Sequence, residues 1–169
     1  VFYNGPQSGA SAPDHAHFQA GLGGVLPLQT NWQRLSRNLE EVYTESETDG
    51  IWYVNDYPCP AFLIQSRTKE ADERLFLKLY EALSGLQKGI DEPMLNIISW
   101  RNGDDYLTVV FPRKKHRPDC YTSEGENQFI ISPGTLDMAG LIITPREQDY
   151  ERITPEVAFG ILQEVSLSD

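Results

Sequence analysis

The sequence predicts an α+β fold, in which an antiparallel sheet packs against helices within a single domain, residues 1–169. Short runs of β-branched and aromatic residues, bounded by turn residues, predict most of the strands. One stripe of apolar residues at helical spacing, over residues 69–87, predicts a long packed helix. Strands and helices do not alternate regularly along the chain, which argues against repeated βαβ units and a parallel sheet.

The first part of the chain is predicted to consist mainly of strands. Residues 1–3 are typical of the end of a strand, and residues 21–28 are typical of a turn with apolar anchors. Three further strands are predicted over residues 39–45, 51–54 and 61–65, the first two of them joined by an acidic turn.

The second part has clear helix and hairpin signals. Thr68 can cap the helix over residues 69–87 and Gly89 can end it; its apolar stripe consists of Ala71, Leu75, Leu79, Leu83 and Leu86. Residues 94–100 and 106–111 predict a hairpin, because Asn-Gly between them is a strong turn signal. A further strand is predicted over residues 138–143, and a last helix is predicted to begin at Thr154-Pro155-Glu156.

Composition limits the partners of this chain. Its net charge of −11 argues against nucleic acid or an anionic membrane as the main partner, although a nucleotide needs only local positive potential. No apolar run approaches the roughly 20 residues of a membrane span. The two cysteines, Cys59 and Cys120, are typical of free thiols in a reducing compartment, which predicts a cytoplasmic protein. Because Val1 already falls within a strand, we expect this to be the C-terminal part of a longer polypeptide.

The segment His15-Ala16-His17-Phe18-Gln19 carries the strongest functional signal. The chain has three histidines, and two of them stand here on alternate positions. In an extended segment His15, His17 and Gln19 share one face. The small, polar, glycine-bearing loop before it can bring backbone N–H groups close to an anion. A phosphate loop that leads into a nucleophile strand indicates phosphoryl-group chemistry.

Two other interpretations fit the alternating histidines. Alternation by itself is also typical of a solvent-facing polar strand behind a turn. His-x-His is also a zinc-ligand geometry, for which the third ligand would be His116, Asp14 or a cysteine. Because no cysteine pair stands at ligand spacing, we expect no metal, and no other cofactor is indicated.

The residues around the two histidines resemble the active-site signature of the histidine-triad superfamily. The resemblance rests on Asn4-Gly5-Pro6, Gly9-Ala10-Ser11 and His15-x-His17-x-Gln19. It is to the branch in which glutamine replaces the third histidine, which holds galactose-1-phosphate uridylyltransferases, ATP adenylyltransferases and GDP-hexose phosphorylases. The ending Phe18-Gln19-Ala20 is most similar to the GDP-hexose phosphorylases, and a looser resemblance continues at residues 107–117 and 138–150.

This resemblance implies a fold and its parts. The expected fold is a HIT-like antiparallel sheet with packed helices, forming the C-terminal portion of a larger HIT-like fold. Residues 1–20 would be the phosphate loop and catalytic strand, and residues 21–169 would be the remaining sheet and helices.

The resemblance also implies the roles of the site residues. His17 matches the central histidine, whose imidazole attacks the α-phosphorus of a nucleotide to form a nucleotidyl-histidine. His15 would support the site, although in the uridylyltransferases the first histidine can also be a structural zinc ligand. Gln19 cannot donate a proton as an acid, so it would only hydrogen-bond a phosphate oxygen. The phosphates would be held by amide, backbone N–H and hydroxyl contacts from Asn4, Gly9 and Ser11.

Residues 113–117 are the only dense positive cluster in an acidic chain. Arg113, Lys114 and Lys115 are candidate substrate-binding residues, because local positive potential attracts a phosphorylated substrate. The same run is also typical of a solvated strand end. Four aromatic residues are predicted to lie in the core rather than to stack on a base: Tyr3, Phe18, Trp52 and Trp100.

Together these observations predict a nucleotidyltransferase or phosphorylase that acts through a nucleotidyl-histidine. The expected partners are a nucleotide sugar and inorganic phosphate or a sugar phosphate, with no nucleic acid and no membrane. The most specific expectation is that GDP-hexose and phosphate give hexose 1-phosphate and GDP. Phosphorolysis of dinucleoside polyphosphates is one alternative, and a non-catalytic HIT-like nucleotide-binding protein is the other.

Overall fold

The framework of the protein is a seven-stranded antiparallel sheet in a computed structural model that describes residues 1–168. The strands are β1 Phe2–Asn4, β2 Phe18–Gln19, β3 Leu39–Thr44, β4 Gly50–Val54, β5 Phe62–Ser66, β6 Leu95–Asn102 and β7 Asp105–Pro112. Their order across the sheet is β2-β1-β6-β7-β5-β4-β3, and each neighbouring pair is antiparallel. The prediction of an α+β fold with an antiparallel sheet is confirmed.

The hairpin of β6 and β7 forms the middle of the sheet. Its pairing runs from Leu95 opposite Pro112 to Asn102 opposite Asp105. Gly103 in the turn has a φ of 62°, a backbone conformation that glycine adopts without the steric penalty of a Cβ. The Asn-Gly signal in the sequence therefore located this turn correctly.

Helix α3, Lys69–Leu86, covers one face of the sheet. The Thr68 side chain caps the helix by accepting a hydrogen bond from the Ala71 amide at 3.1 Å, as the sequence predicts. Its buried leucines pack with alternate residues of the strands, in a cluster that includes Leu75, Leu79, Leu83, Tyr3, Ile51, Ile64, Leu95 and Val110. Leu86 is 74% exposed, because the helix ends at this residue.

The opposite face of the sheet packs against four short helices: α1 Pro27–Thr30, α2 Trp32–Leu35, α4 Thr135–Met138 and α6 Pro155–Val165. Helix α5, Glu147–Arg152, precedes α6 in the chain. The larger core lies here and includes Leu28, Trp32, Leu35, Leu63, Ile98, Val109, Phe111, Met138, Leu162 and Val165. Thr154 caps α6, as predicted, by accepting from the Val157 amide. Within residues 1–168 no helix has both the length and the apolar character needed to cross a membrane.

Residues 138–143 do not form the predicted strand. Met138 is the last residue of α4, and Gly140 follows with a φ of 99°. The Asp137 carboxylate accepts hydrogen bonds from the Gly134 amide at 2.9 Å and the Ile143 amide at 2.7 Å. The segment therefore satisfies backbone groups locally, through one side chain, instead of in a strand ladder. The strand prediction rested on the apolar run alone. The composition does not show that the Asp137 carboxylate accepts from the backbone amides of this segment.

Candidate active site

The glycine loop, residues 4–11, lies beside β6 at the end of β1. Asn4 pairs with Asn96 in the sheet, and the next amide, that of Gly5, donates to the Leu95 carbonyl at 3.0 Å. The Ser8 amide then donates back to the Gly5 carbonyl at 2.9 Å, which closes a turn. The sheet therefore fixes the position where the loop leaves it.

The amide of Asn4 is held in one orientation by buried partners. Its Oδ1 accepts from Asn96 Nδ2 at 2.8 Å and from the Thr135 amide at 2.7 Å, and the Thr135 hydroxyl lies 2.9 Å away. Asn96 and Thr135 are both 0% exposed. With Oδ1 occupied, Nδ2 of Asn4 points away from these partners, and it makes no hydrogen bond within residues 1–168. Two N–H donors are thus presented at the start of the loop.

Gly9 occupies a position that no other residue can fill. Its φ is 79°, and a Cβ built on it would lie 2.0 Å from the Pro133 carbonyl oxygen. Its amide donates to Nδ1 of His116 at 3.2 Å. The expectation that the Gly9 amide holds a phosphate remains a prediction, and in this structure that amide is directed to His116.

Replacing Gly9 by alanine should displace the glycine loop. We expect the free energy of unfolding to fall by at least about 2 kcal/mol, because the variant combines a positive φ with overlap onto rigid backbone. The matched control is Gly85→Ala in α3, where a Cβ would meet nothing within 4 Å; a helix gains up to about 1 kcal/mol from this change. Urea unfolding of both variants measures the difference. Equal stability of the two variants would contradict the tight packing at Gly9.

His15 and His17 lie side by side after the loop. Their ring centroids are 5.2 Å apart, although the strand itself begins only at Phe18. Nδ1 of His17 lies 3.3 Å from the carbonyl oxygen of His15. A carbonyl can only accept, so in the neutral ring Nδ1 carries the proton and Nε2 keeps its lone pair. His15 Nδ1 contacts the Asp14 carboxylate at 3.0 Å.

Strand β2 is shorter than predicted and contains only Phe18 and Gln19. Gln19 pairs with Phe2, so by alternation it shares a face with Phe2 and Asn4. Phe18 lies on the other face against Tyr3, with ring centroids 5.3 Å apart. Phe18 is 72% exposed, so its prediction as a core residue was wrong, whereas Tyr3 is buried as predicted. The prediction fails because β2 is an edge strand and only one neighbour covers it.

The positive run at residues 113–117 is not a free cationic surface. Lys115 Nζ lies 2.6 Å from carboxylate oxygens of both Asp119 and Glu164, so its charge is paired. Lys114 is exposed, with Nζ 3.5 Å from the Ser168 hydroxyl. Arg117 stacks over the Tyr121 ring. Of the three proposed substrate-binding cations, Lys114 alone presents an unpaired charge within residues 1–168.

Arg113 is 0% exposed, because the protein encloses its guanidinium. This burial corrects the prediction that Arg113 binds substrate. All five guanidinium N–H groups have acceptors within the protein: the carbonyls of Val165, Pro133, Lys115 and His116, and Oδ1 of Asn96. Burial lowers the pKa of Arg113 to about 10, which still leaves it charged at neutral pH. Arg113 therefore joins β6, α6 and the segments on either side of the glycine loop.

The comparisons with known proteins divide the chain into two regions. Residues 1–22, which hold the glycine loop and both motif histidines, match a domain of unknown function (DUF4922). Residues 34–169 match the family described as "GDPGP1-like, C-terminal domain". The chain belongs to the GDPGP1-like family. This membership relates it to the GDP-hexose phosphorylases at the level of the family. No curated protein and no solved structure gives a significant match.

Three residues of this GDPGP1-like chain support the site without having been predicted: Asn96, Thr135 and His116. Asn96 holds Asn4 and also donates to the Ser8 carbonyl at 2.8 Å, so it contacts the loop at both ends. In the sequence, Asn96 stands between apolar residues of a predicted strand. Because buried polar groups need hydrogen-bond partners, this asparagine could have been predicted to hold a neighbouring segment. The sequence indicated His116 only as a possible zinc ligand within the positive run, and nothing local distinguishes Thr135.

Other groups of the GDPGP1-like chain could also carry chemistry. Cys59 and Cys120 are free, as predicted, and burial raises the pKa of both thiols. Among residues 1–168, no three or more histidine, cysteine, aspartate or glutamate side chains are grouped to hold a metal ion. An apolar cleft of about 490 Å³ opens beside β1 and the residues after β2, lined in part by Phe2, Leu22, Val25 and Trp100.

Proposed function

We propose that this protein transfers the nucleotidyl group of a GDP-hexose to inorganic phosphate, in a site of the histidine-triad type. The products would be hexose 1-phosphate and GDP. The observation that carries the proposal is the contact of His17 Nδ1 with the His15 carbonyl at 3.3 Å, which in the neutral ring leaves the lone pair on Nε2. Family membership supports the same substrates.

In the first step, Nε2 of His17 attacks the α-phosphorus of GDP-hexose. A bond forms between Nε2 and phosphorus, and the bond from phosphorus to the bridging oxygen breaks, so hexose 1-phosphate leaves with the electron pair. In the second step, an oxygen of inorganic phosphate attacks the same phosphorus, which gives GDP and restores the imidazole. The neutral imidazole attacks with the lone pair of Nε2 and loses no proton in doing so, so this nucleophile needs no strong base.

Gln19 suits transfer to phosphate rather than hydrolysis. Both the leaving group and the acceptor are phosphates, which are already ionised and need no proton from an acid. The amide of Gln19 can hydrogen-bond a phosphate oxygen, and by strand register it shares a face with Asn4. We assign Nδ2 of Asn4 and the exposed hydroxyl of Ser11 to the phosphates of the nucleotide, with His15 supporting His17.

The position of a phosphate label tests this proposal. The full-length protein is incubated with GDP-hexose and ³²P-labelled inorganic phosphate, and the products are separated. Transfer through His17 places the label in GDP and leaves hexose 1-phosphate unlabelled. Label in hexose 1-phosphate would contradict attack at the α-phosphorus. If the protein turns over a dinucleoside tetraphosphate but not GDP-hexose, phosphorolysis of dinucleoside polyphosphates is favoured. If it binds nucleotide and forms no product, a non-catalytic binding protein is favoured.

Replacing Gln19 by histidine should raise hydrolysis relative to transfer. An imidazolium can protonate a poorer leaving group and assist water, which an amide cannot do. We expect the ratio of GMP to GDP formed from GDP-hexose to rise by about tenfold or more. Gln19→Asn is the control, because it shortens the side chain but adds no acid. An unchanged ratio in Gln19→His would count against the assigned role of Gln19.

A further inference from the structure

His116 connects the buried framework of the protein to the glycine loop. On one side, Nη2 of Arg113 donates to the backbone carbonyls of Lys115 and His116 at 3.1 and 3.2 Å. On the other side, Nδ1 of the His116 ring accepts from the Gly9 amide at 3.2 Å. A buried arginine therefore holds the backbone at His116, and the His116 ring contacts the Gly9 amide.

The contact requires one protonation state of His116. An amide N–H can only donate, so Nδ1 must keep its lone pair and the imidazole must be neutral. The charged groups that act on the ring are Arg113 and Arg117, and the loop faces it with uncharged backbone at Gln7 and Gly9. Burial and these two cations lower the pKa of His116, whereas a hydrogen bond with the backbone of Gln7 raises it, and the net effect is a lowered pKa. Neutral pH therefore favours the accepting form.

The consequence concerns the shape of the loop. Gly9 is confined between the Pro133 carbonyl and the His116 ring. If Nδ1 is protonated, it becomes a donor opposite another donor, and the hydrogen bond to Gly9 is lost. Gly9 then still packs against the Pro133 carbonyl, but its amide no longer has the hydrogen bond that fixes its orientation.

We propose that neutral His116 is a positioning residue, which fixes the glycine loop for nucleotide binding by accepting the Gly9 N–H. This proposal rests on the proposed function for the identity of the ligand. His116 acts through the loop and not on the reacting atoms, so it should affect binding of the nucleotide more than the chemical step.

Two substitutions separate this role from a general structural one. In His116→Asn the side-chain oxygen can occupy the place of Nδ1, whereas in His116→Gln the polar end lies one bond farther out. We expect His116→Gln to raise the Kd for GDP and the KM for GDP-hexose by about tenfold, the usual cost of leaving a part-buried donor unpaired. The kcat should change by less than about threefold, and His116→Asn should keep both constants near their wild-type values.

The pH dependence supplies a second readout. In the wild-type protein the Kd for GDP should rise as the pH falls below the pKa of His116. In His116→Asn this rise of the Kd should be absent. Equal affinities of the asparagine and glutamine variants, whether both normal or both weakened, would overturn the proposal.

A measurement without nucleotide keeps the inference separate from the proposed function. In full-length protein labelled with [¹⁵N]glycine, the Gly9 amide resonance should titrate together with the His116 ring, below the usual histidine range, and this titration should be lost in His116→Asn. If the protein neither binds GDP nor transfers it, the proposed function fails, yet the Gly9 titration still tests the contact. A Gly9 resonance that does not follow the titration of the His116 ring would overturn the positioning role.

Discussion

Replacing His17 by alanine should reduce nucleotidyl transfer at least about a hundredfold, because no other group can form the covalent intermediate. The loss should appear in kcat, since the alanine removes the attacking nitrogen but leaves the glycine loop and its hydrogen bonds in place. GDP should still bind with an affinity within about threefold of the wild type. Steady-state kinetics with GDP-hexose, together with calorimetric titration of GDP, measure the two effects separately.

The matched control for His17 is its neighbour. His15→Ala removes an imidazole 5.2 Å away on the same segment, and its backbone carbonyl, which holds Nδ1 of His17, is retained. We expect this variant to keep far more activity than His17→Ala. Residual transfer above about a hundredth of wild type in His17→Ala, or equal losses in the two variants, would be incompatible with His17 as the nucleophile.

Replacing Arg113 by methionine should destabilise the whole fold. The substitution keeps much of the side-chain volume but leaves the carbonyls of Pro133, Lys115 and His116 and Oδ1 of Asn96 without the guanidinium donors. The Val165 carbonyl still accepts from the Lys114 amide. Each buried group left unsatisfied costs about 1–3 kcal/mol, so we expect the free energy of unfolding to fall by at least about 3 kcal/mol. That is a large fraction of the roughly 5–15 kcal/mol of a typical domain.

Lys114→Met tests whether charge alone explains such a loss. It removes the same unit of positive charge from the adjacent, exposed position, and we expect a change within about 0.5 kcal/mol. Arg113→Lys restores the charge but not the planar set of five donors, and it should remain clearly destabilised. Urea unfolding compares all three variants with the wild type. Similar stabilities of Arg113→Met and Lys114→Met would show that the buried hydrogen bonds contribute little.

The fold was predictable where local signals and tertiary packing agree. The leucines of α3 repeat at helical spacing and Thr68 can cap them, so the helix was predicted within one residue at its end. The β6–β7 hairpin was predicted from its Asn-Gly turn. The segment at residues 138–143 was predicted wrongly, because its backbone groups are satisfied by Asp137, a local cap that apolar composition does not reveal.

The candidate site at residues 4–19 is a prediction from a motif, in which glycine, asparagine and histidine stand at the offsets of the signature that they resemble. The contacts that hold these residues in place were not predictable from the motif. The burial of Arg113 was not visible, because whether an arginine faces solvent depends on segments distant in sequence, such as Pro133 and Val165. The same holds for the link from His116 to Gly9, which joins residues 107 positions apart.

Trapping the covalent intermediate tests the central claim most directly. The full-length protein is mixed with GDP-hexose labelled with ³²P at the α-phosphorus, in the absence of inorganic phosphate, and is then denatured at alkaline pH, where phosphoramidates survive. We expect labelled protein with GMP on a peptide containing His17, loss of this label when phosphate is added before denaturation, and no label in His17→Ala. Protein that turns over GDP-hexose but carries no label, or carries it on a residue other than His17, would exclude His17 as the nucleophile.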